Sequence, residues 1–467
     1  MDKKLITTPI YYVNDVPHIG HTYTTIAADT ITRFYKLAGS DAHLLTGTDE
    51  HGAKIAEAAQ KHNETPKEYA DKIAGEFKKS WDSLGITYDR FIRTTDADHE
   101  KTVKEFLQQL YDSGAIEQKP RLYTGLYCVS CEKFWQKEDL KDENICPDHL
   151  KPVVEHSEEN YYFGLSKYQD QLIEMIESGK IEIMPETRKN EILGKLKQGL
   201  EDISISRKNV PWGITLPFDE SHTAYVWIDA LINYYTFAAP KDLWPAYLHL
   251  VGKDILWFHS VIWPAMLLAA GLLTPKRVFA HGFFTIDGQK MSKTLGNVIK
   301  PAELVEKYGV DGTRYILLAS FSFGEDGDFS WEQFNTIYNS DLANGIGNLS
   351  ARVAKLAEKS GFVANEHQAK FDQEVHNTLD RLKFNEAINW IRSIIALADQ
   401  RINQTEPWKL SGTELKEVLD ELVSLIQRIA FNLQPFMPET AEKILQQFQG
   451  EVKAQSPLFP RISDSKP

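Results

Sequence analysis

Cysteine is scarce in this sequence: three residues in 467, Cys128, Cys131 and Cys146, all within one short stretch. An odd, clustered set without an export signal does not make a disulfide framework, so metal ligation is the first question the thiols raise. Long apolar runs are missing too. No run reaches the roughly 18 apolar residues a membrane-spanning helix needs. The opening MDKKLITTPIYY moves directly into a strand-like pattern, without the apolar stretch and small-residue cleavage site of a signal peptide. The expectation is a cytoplasmic protein with no membrane contact. Positive charge is in deficit, with 52 Lys and Arg against 66 Asp and Glu, a formal net charge of -14. That excludes coating nucleic acid through overall charge, because phosphate neutralisation needs clustered cations. Local basic segments remain: Thr187 to Leu200 carries four basic side chains and one acid, which suits either a phosphate backbone or a solvated helix face. Internal repeats and low-complexity segments are absent, and only the final ISDSKP reads as disordered.

What is present divides into about three domains, the prior for this length. KLITTPIYY reads as a buried strand; TYTTIAADTITRFYKLAG has apolar residues at helical spacing and stops at Gly39; DAHLLTGTDEHG is a second strand. This is a βαβ unit, which implies a parallel sheet. Thr65-Pro66 with Glu68 forms a capping box with proline at the first helical position and predicts a helix over 66–84, followed by another over 98–112 that ends at Gly114. From Ala115 to about Ser221 short aromatic strands, the cysteines and turn residues take over. TAYVWIDALINYY and LHLVGKDILWFHSVIWPAMLLAAG then restore the strand-then-helix rhythm. The predicted fold class is α/β, a doubly wound parallel sheet split by an insertion and followed by an all-α helical bundle. The predicted boundaries are 1–114 and 222–280 for the two halves of the sheet domain, 115–221 for the insertion, 281–330 for a linking region and 331–467 for the bundle. Helix breaks are expected near Gly361, Glu366, Pro407 and Pro435.

The strand-to-helix junction carries His18-Ile19-Gly20-His21. If the strand ends near Tyr12 and the helix begins near Pro17, both histidines lie on the first helical turn, where unpaired N–H groups and the helix dipole favour an anion such as phosphate. Gly20 would let a base or phosphate approach the backbone. A pair of satisfied, partly buried histidines fits the same residues. Far along the chain, DGQKMSKTLGN places Lys290 and Lys293 in a glycine-flanked loop able to fold onto a polyphosphate. A lysine-bearing loop alone is usually just solvated.

Taken in this order on a split parallel sheet, the two motifs resemble the HIGH and KMSKS signatures of the class I aminoacyl-tRNA synthetases. The first matches outright and the second apart from Thr294, which keeps the hydroxyl. PIYYVND, TGTDEHG, ISRKNVPWGI, YVWIDALINYY, GKDILWFHSVIWPAML and NLSAR are similar to the methionyl branch of that class, and the likeness covers nearly the whole chain. It implies a Rossmann-like catalytic domain, activation of L-methionine with ATP and Mg(II) to methionyl adenylate, and transfer to the 3′-terminal adenosine of tRNA(Met). That product would serve translation initiation and elongation.

Cys128-x-x-Cys131 and Cys146-x-x-His149 supply three thiolates and one imidazole, the donor set of a tetrahedral structural Zn(II); similar enzymes carry such a knuckle in the inserted domain. Ile255, His259 and Trp263 recur every fourth residue and so would share one helix face, with Trp227 and Tyr234 adding aromatics. Such a stripe is often plain core. The resemblance implies that it lines a methionine pocket with Ile10, Tyr12, Ala230 and Leu231, that Asp49 holds the α-ammonium, that Gly252, Asp254 and His281 contact ATP beside His18, Gly20, His21 and Lys293, and that Arg207 assists activation. Aromatic rings suit a polarizable thioether. In the bundle, Asn348 and Arg352 are four apart and, with Trp408, match the family's anticodon readers, residue types suited to unstacked bases; the alternative for Trp408 is a cap on the bundle core. Isoleucine, valine and leucine enzymes of the class carry a larger editing insertion than 115–221 allows, and a small-molecule nucleotidyltransferase would lack the bundle. With no appended tRNA-binding module after the bundle, a monomer is expected.

Overall fold

The computed structural model describes residues 2–462 except 130–132, 136, 143, 148–149, 209, 292–295 and 367–369. The chain opens with β1 (Lys3–Tyr12), α1 (Ile19–Leu37) and β2 (Asp41–Asp49), then α2 (Ala53–Lys61), α3 (Pro66–Ser83), β3 (Arg90–Arg93) and α4 (Ala97–Asp112). α3 starts as its sequence predicts: Thr65 accepts from the Glu68 amide, Glu68 reaches back to Thr65, and Pro66 fills the first turn. The insertion contributes the antiparallel β4 (Arg121–Cys128), β5 (Lys133–Trp135) and β6 (Val154–Asn160), then β7 (Tyr162–Phe163), α5 (Gln169–Glu177), β8 (Glu182–Met184), α6 (Glu186–Leu196), β9 (Ile203–Ser204), β10 (Ser206–Arg207), β11 (Thr215–Leu216) and β12 (Asp219–Ala224). After it come α7 (Val226–Ala238), β13 (Leu248–Gly252), α8 (Trp263–Ala269), β14 (Arg277–His281), β15 (Phe284–Ile286), β16 (Gln289–Lys290), α9 (Pro301–Ala319) and β17 (Gly327–Phe329).

The main sheet is parallel throughout, in the order β3-β2-β1-β13-β14-β8. Successive strand residues point to opposite faces, and both faces are covered, so each strand is apolar on both sides. Ile6, Leu44, Phe91, Leu250 and Phe279 enter one core with α1, α3 and the bundle. Their neighbours Leu5, Leu45, Ile92, Val251 and Val278 enter the other with α4, α7 and α8. The chain winds one way from β1 and the other way from β13, which leaves a crevice at the C-terminal ends of these two adjacent strands. The 115–221 stretch returns to this sheet once: β8 hydrogen-bonds β14 as its edge strand. A three-residue strand with only two apolar residues, Ile183 and Met184, carries too weak a pattern for that to be legible in sequence.

The bundle comprises α10 (Trp331–Ile337), α11 (Gly347–Ser360), α12 (Gln373–Asp380), α13 (Phe384–Thr405), α14 (Gly412–Leu433) and α15 (Pro438–Gln447), with a π-helical segment over Tyr338–Ile346. Gly361 ends α11 in the left-handed conformation, as expected of a helix C-terminus. The joint between bundle and sheet domain is a buried cation. Arg314 on α9 is 0% exposed and lies 2.6 Å from Asp29 of α1, while its other N–H groups donate to the carbonyls of Leu84, Pro435 and Phe436. Burial pushes the Asp29 carboxyl up, but Arg314 and Arg33 outweigh it and hold the group ionised.

Candidate active site

The strand-to-helix junction differs from its sequence reading in one useful way. α1 begins at Ile19, and His18 is its N-cap rather than a helical residue. The Gly20 amide donates to His18 Nδ1 (3.1 Å) and the His18 amide donates to His21 Nδ1 (3.3 Å), a reciprocal capping box built from two imidazoles. The Ile19 amide donates to Ile299 O. Three N–H groups that could have gripped an anion are therefore occupied. What the histidines offer instead follows from the same bonds: an accepting Nδ1 carries no proton, so in the neutral ring Nε2–H is the donor. The rings stack at 3.8 Å and form one two-donor surface. Burial, with His18 alongside, holds His21 well below the ordinary histidine range, so it stays neutral at physiological pH. Gly20 also acquires a local reason. A Cβ there would sit 2.9 Å from His18 Cε1, so glycine is what lets the imidazole fold back onto the helix end.

The lysine motif returns to this place. Met291 Cε is 3.7 Å from the position of a Gly20 Cβ, and the Ile19 amide donates to Ile299 O, so Met291 and Ile299 both lie at the start of α1. Lys290 ends β16; Lys293 lies outside the described residues.

Asp49 ends β2 in register with Tyr12 at the end of β1, and the Val13 amide donates to Asp49 O. Across from them α7 presents Trp227, Ala230, Leu231 and Tyr234. Tyr234 is 1% exposed, and its hydroxyl lies 2.7 Å from His259 Nε2. His259 Nδ1 donates to Ile255 O (2.9 Å), so Nε2 is the acceptor and the phenol donates to it. Burial pushes His259 down to about 4, which leaves a neutral, fully bonded imidazole in an aromatic wall. The single α-helical face expected for Ile255, His259 and Trp263 is instead a composite. Lys253–Ile255 is a 3-10 turn, Phe258–Ile262 is π-helical, and α-helix is confined to the two residues between them and to Trp263–Ala269. The wider turn accommodates the His259 bond back to Ile255 and frees Phe258 to stack on Trp227 (4.2 Å, 15°), a pocket residue that periodicity alone passes over. Ile10 and Tyr12 are part-buried at the mouth, and Trp263 is fully buried behind it.

Gly252 and His281 are register partners at the ends of β13 and β14. A Cβ on Gly252 would fall 2.6 Å from Asp254 Oδ1 and 3.9 Å from His281 Cε1, so these three residues form one small platform. His281 Nδ1 donates to Gly282 O, and Thr24 of α1 meets its Nε2 at 2.7 Å, which ties the platform to the helix that carries the histidine pair. Burial lowers His281 to about 4.

Arg207 lies in the insertion, donating to Glu158 (2.8 Å) and the Tyr127 hydroxyl (2.8 Å). With Gly52, Tyr127, Trp212 and Val226 it lines a small, half-open cleft, so it faces the loop just after Asp49. Of the zinc residues, Cys128 and Cys146 are 1% and 0% exposed and share a minute core with Val153; Cys131 and His149 lie outside the described residues. Among the described residues no group of three or more metal-ligating side chains assembles. The basic stretch after Thr187 is largely α6, where Arg188 pairs with Glu191 and, just beyond the helix, Lys197 pairs with Glu177, as on a solvated helix face. In the bundle, Asn348 is exposed on α11, Arg352 pairs with Asp399 of α13 (3.0 Å), and Trp408 follows α13 at 54% exposure, which rules out a role as a core cap.

Two buried networks at this crevice went unread in the sequence: Glu50 with Arg93, Thr48 and Thr95, and Asp229 between His51 and His99. The only local hint was the acid-histidine pair inside TGTDEHG.

Comparison with known proteins bears on this constellation. The profile of the family described as tRNA synthetases class I (M) matches residues 4–152 and 139–354. A methionine–tRNA ligase of Caldanaerobacter subterraneus subsp. tengcongensis is 44% identical over 95% of this chain and 73% of its own length. The enzyme of that name from Synechocystis is 43% identical over 95% of this chain and 88% of its own. Among solved structures, Mycobacterium tuberculosis methionyl-tRNA synthetase in complex with methionyl-adenylate aligns with a TM-score of 0.92 at 36% identity, covering 99% of this chain and 100% of that one. Its apo form aligns at 0.85 with 33% identity, covering 99% of each chain.

Proposed function

The chain belongs to the methionine–tRNA ligases of the class I tRNA synthetases, and from that premise we propose how its own residues carry the reaction. ATP and L-methionine combine to methionyl adenylate and pyrophosphate, and the methionyl group passes to tRNA. The observation that carries the residue assignment is the convergence, at the ends of β1, β2, β13 and β14, of a buried carboxylate, a neutral aromatic pocket and a two-imidazole donor surface.

Asp49 takes the α-ammonium. Tyr12, Trp227, Ala230, Leu231 and Tyr234 enclose the thioether with Ile10, Ile255, His259 and Trp263, whose depth selects against shorter apolar side chains. ATP lies against Gly252, Asp254 and His281, with its α-phosphate toward His18, Gly20 and His21. The methionine carboxylate attacks that phosphorus in line. Two fixed Nε2–H donors then face oxygens whose charge grows in the transition state, so they act by positioning and charge stabilisation without transferring a proton. Lys290 and Lys293 receive the departing pyrophosphate, which arrives as ATP with Mg(II), and Arg207 meets the reacting groups from the insertion side. No protein nucleophile is required.

Cys128 and Cys146 are both buried beside Val153, and two buried sulfurs suit a thiophilic metal. Zn(II) held by Cys128, Cys131, Cys146 and His149 would lock the insertion, a structural role with no part in the chemistry. Asn348, Arg352 and Trp408 read the tRNA(Met) anticodon by edge bonds and stacking while the acceptor end reaches the crevice. Among the described residues no helix is long and apolar enough to cross a membrane; we place the enzyme in the cytoplasm, acting as a monomer whose amino-acid and nucleotide sites come from one chain. Pyrophosphate exchange measured separately with all twenty amino acids tests the assignment: methionine alone should drive it, and exchange driven by another amino acid refutes the pocket.

A further inference from the structure

Asp229 is a buried carboxylate on α7 that the mechanism above does not use. It is 1% exposed, and each oxygen is taken by a histidine from a different element: Oδ2 by His51 Nδ1 and Oδ1 by His99 Nε2, both at 2.7 Å. His51 (4% exposed) lies two residues beyond Asp49, and His99 (0% exposed) lies on α4. Between Asp49 and His51, Glu50 is clamped by Arg93 through two bonds (2.6 and 2.8 Å), and its carbonyl accepts from Trp212 Nε1. Both residues after Asp49 are thus fixed by buried charge. On α7, Asp229 sits on the helix side away from Trp227, Leu231 and Tyr234, within one and a half turns of each. The His51–Asp229 bond therefore ties the segment just after the ammonium anchor of β2 to the helix that carries the side-chain wall.

We propose that the His51–Asp229–His99 network is a specificity-determining positioning device that sets the length of amino acid accepted between Asp49 and the α7 wall. This rests on the methionine reading of the pocket. A loosened network changes the spacing between two contact points on one substrate, so the loss falls on methionine and on length discrimination, while the ATP platform at Gly252, Asp254 and His281 is left alone. The device also titrates. The groups facing His51 are Asp229 from α7, His99 and Glu100 from α4, and Glu50 from its own segment, with the Trp212 ring across its face (5.3 Å). Burial lowers the His51 imidazole, but the three carboxylates outweigh burial and raise it above the ordinary value. The imidazolium–carboxylate pair is therefore complete at lower pH and weakens as pH rises through the His51 pKa.

The test is pyrophosphate exchange by the full chain and by Asp229→Asn and His51→Gln. The readouts are KM for L-methionine, KM for ATP, and the kcat/KM preference for L-methionine over L-ethionine, which is one methylene longer. Expected results are a rise of about tenfold in KM for methionine with KM for ATP within about twofold, and a preference over ethionine reduced severalfold. In the unsubstituted enzyme KM for methionine rises as pH increases above 6.5; His51→Gln, which keeps a donor but cannot charge, flattens that profile. If Asp229→Asn does not fold, His51→Gln carries the test. Equal rises in both KM values with length discrimination and pH profile intact would show a merely structural network and overturn the proposal. Methionine-independent exchange in the unsubstituted enzyme would instead overturn the pocket reading on which it rests.

Discussion

Removing one hydroxyl, in Tyr234→Phe, isolates the contribution of a single hydrogen bond to methionine recognition. The phenol is the donor that satisfies His259 Nε2, because Nδ1 is already committed to Ile255 O. Phenylalanine keeps the ring and the packing but leaves a buried acceptor without a donor. In the free enzyme water in the pocket can replace the hydroxyl; methionine must expel that water, so the desolvation cost falls on the binding step. A buried acceptor left unsatisfied costs about 1–3 kcal/mol, which at about 1.4 kcal/mol per decade becomes a rise of roughly 5- to 150-fold in KM for methionine. The ATP platform is bonded through Thr24 and Gly282 instead, so KM for ATP should stay within about twofold. Initial-rate pyrophosphate exchange, with each substrate varied in turn, measures both. The acid side gives a second reading. His259 is lowered to about 4 in the folded pocket, so between pH 6.5 and 4 opened or unfolded states bind a proton that the closed pocket refuses. Stability and methionine binding contributed by this group therefore fall with acid and are insensitive to pH above about 7. A Tyr234→Phe enzyme with unchanged KM for methionine, or with both KM values raised equally, would refute the argument.

Three further expectations follow from other parts of the structure. His21→Ala removes one of two Nε2–H donors and should lower the rate of adenylate formation by about 100-fold or more with little change in methionine affinity, a split that rapid-quench kinetics and equilibrium binding resolve; weaker binding with an unchanged rate would reverse the role. Arg314→Met leaves Asp29 buried without its main partner, and breaking such a pair costs about 3–5 kcal/mol; denaturant unfolding should show the loss, and the double variant with Asp29→Asn should recover part of it. Trp408→Ala should reduce kcat/KM for tRNA by about 5- to 150-fold, the range for a stacked base at about 1–3 kcal/mol, while pyrophosphate exchange stays unchanged; a parallel loss in exchange would place Trp408 in the fold rather than at the anticodon.

The parts of this molecule that repeat locally were legible before any coordinates. The buried strand at LITTPIYY, the Thr65–Glu68 box with Pro66, Gly361 at the end of α11 and the helix breaks at Pro407 and Pro435 depend on backbone geometry within a few residues, and each is found where residue chemistry puts it. The two signature motifs and the residues proposed for the pocket were singled out through resemblance, which stores the result of tertiary folding without explaining it. What could not be read was any contact whose partner is remote. His51 meets Asp229 across 178 positions and Arg314 meets Phe436 across 122, and no periodicity links such pairs. The π-helical turn at Phe258–Ile262 escaped for a related reason, because a four-residue spacing marks one face only if the helix is α throughout.

By itself, then, the amino-acid sequence determined the elements, their order, the doubly wound class and the residue types available for phosphate, thioether and metal, since these follow from propensity, patterning and side-chain chemistry. The tertiary structure decided which groups remain available. It turned the histidine pair from helix residues over open N–H groups into a self-capped donor surface, gave Gly20 an intramolecular partner, and joined the segment after Asp49 to α7 through His51 and Asp229. Availability is decided by burial and by competition for hydrogen bonds, and both are properties of the packed whole.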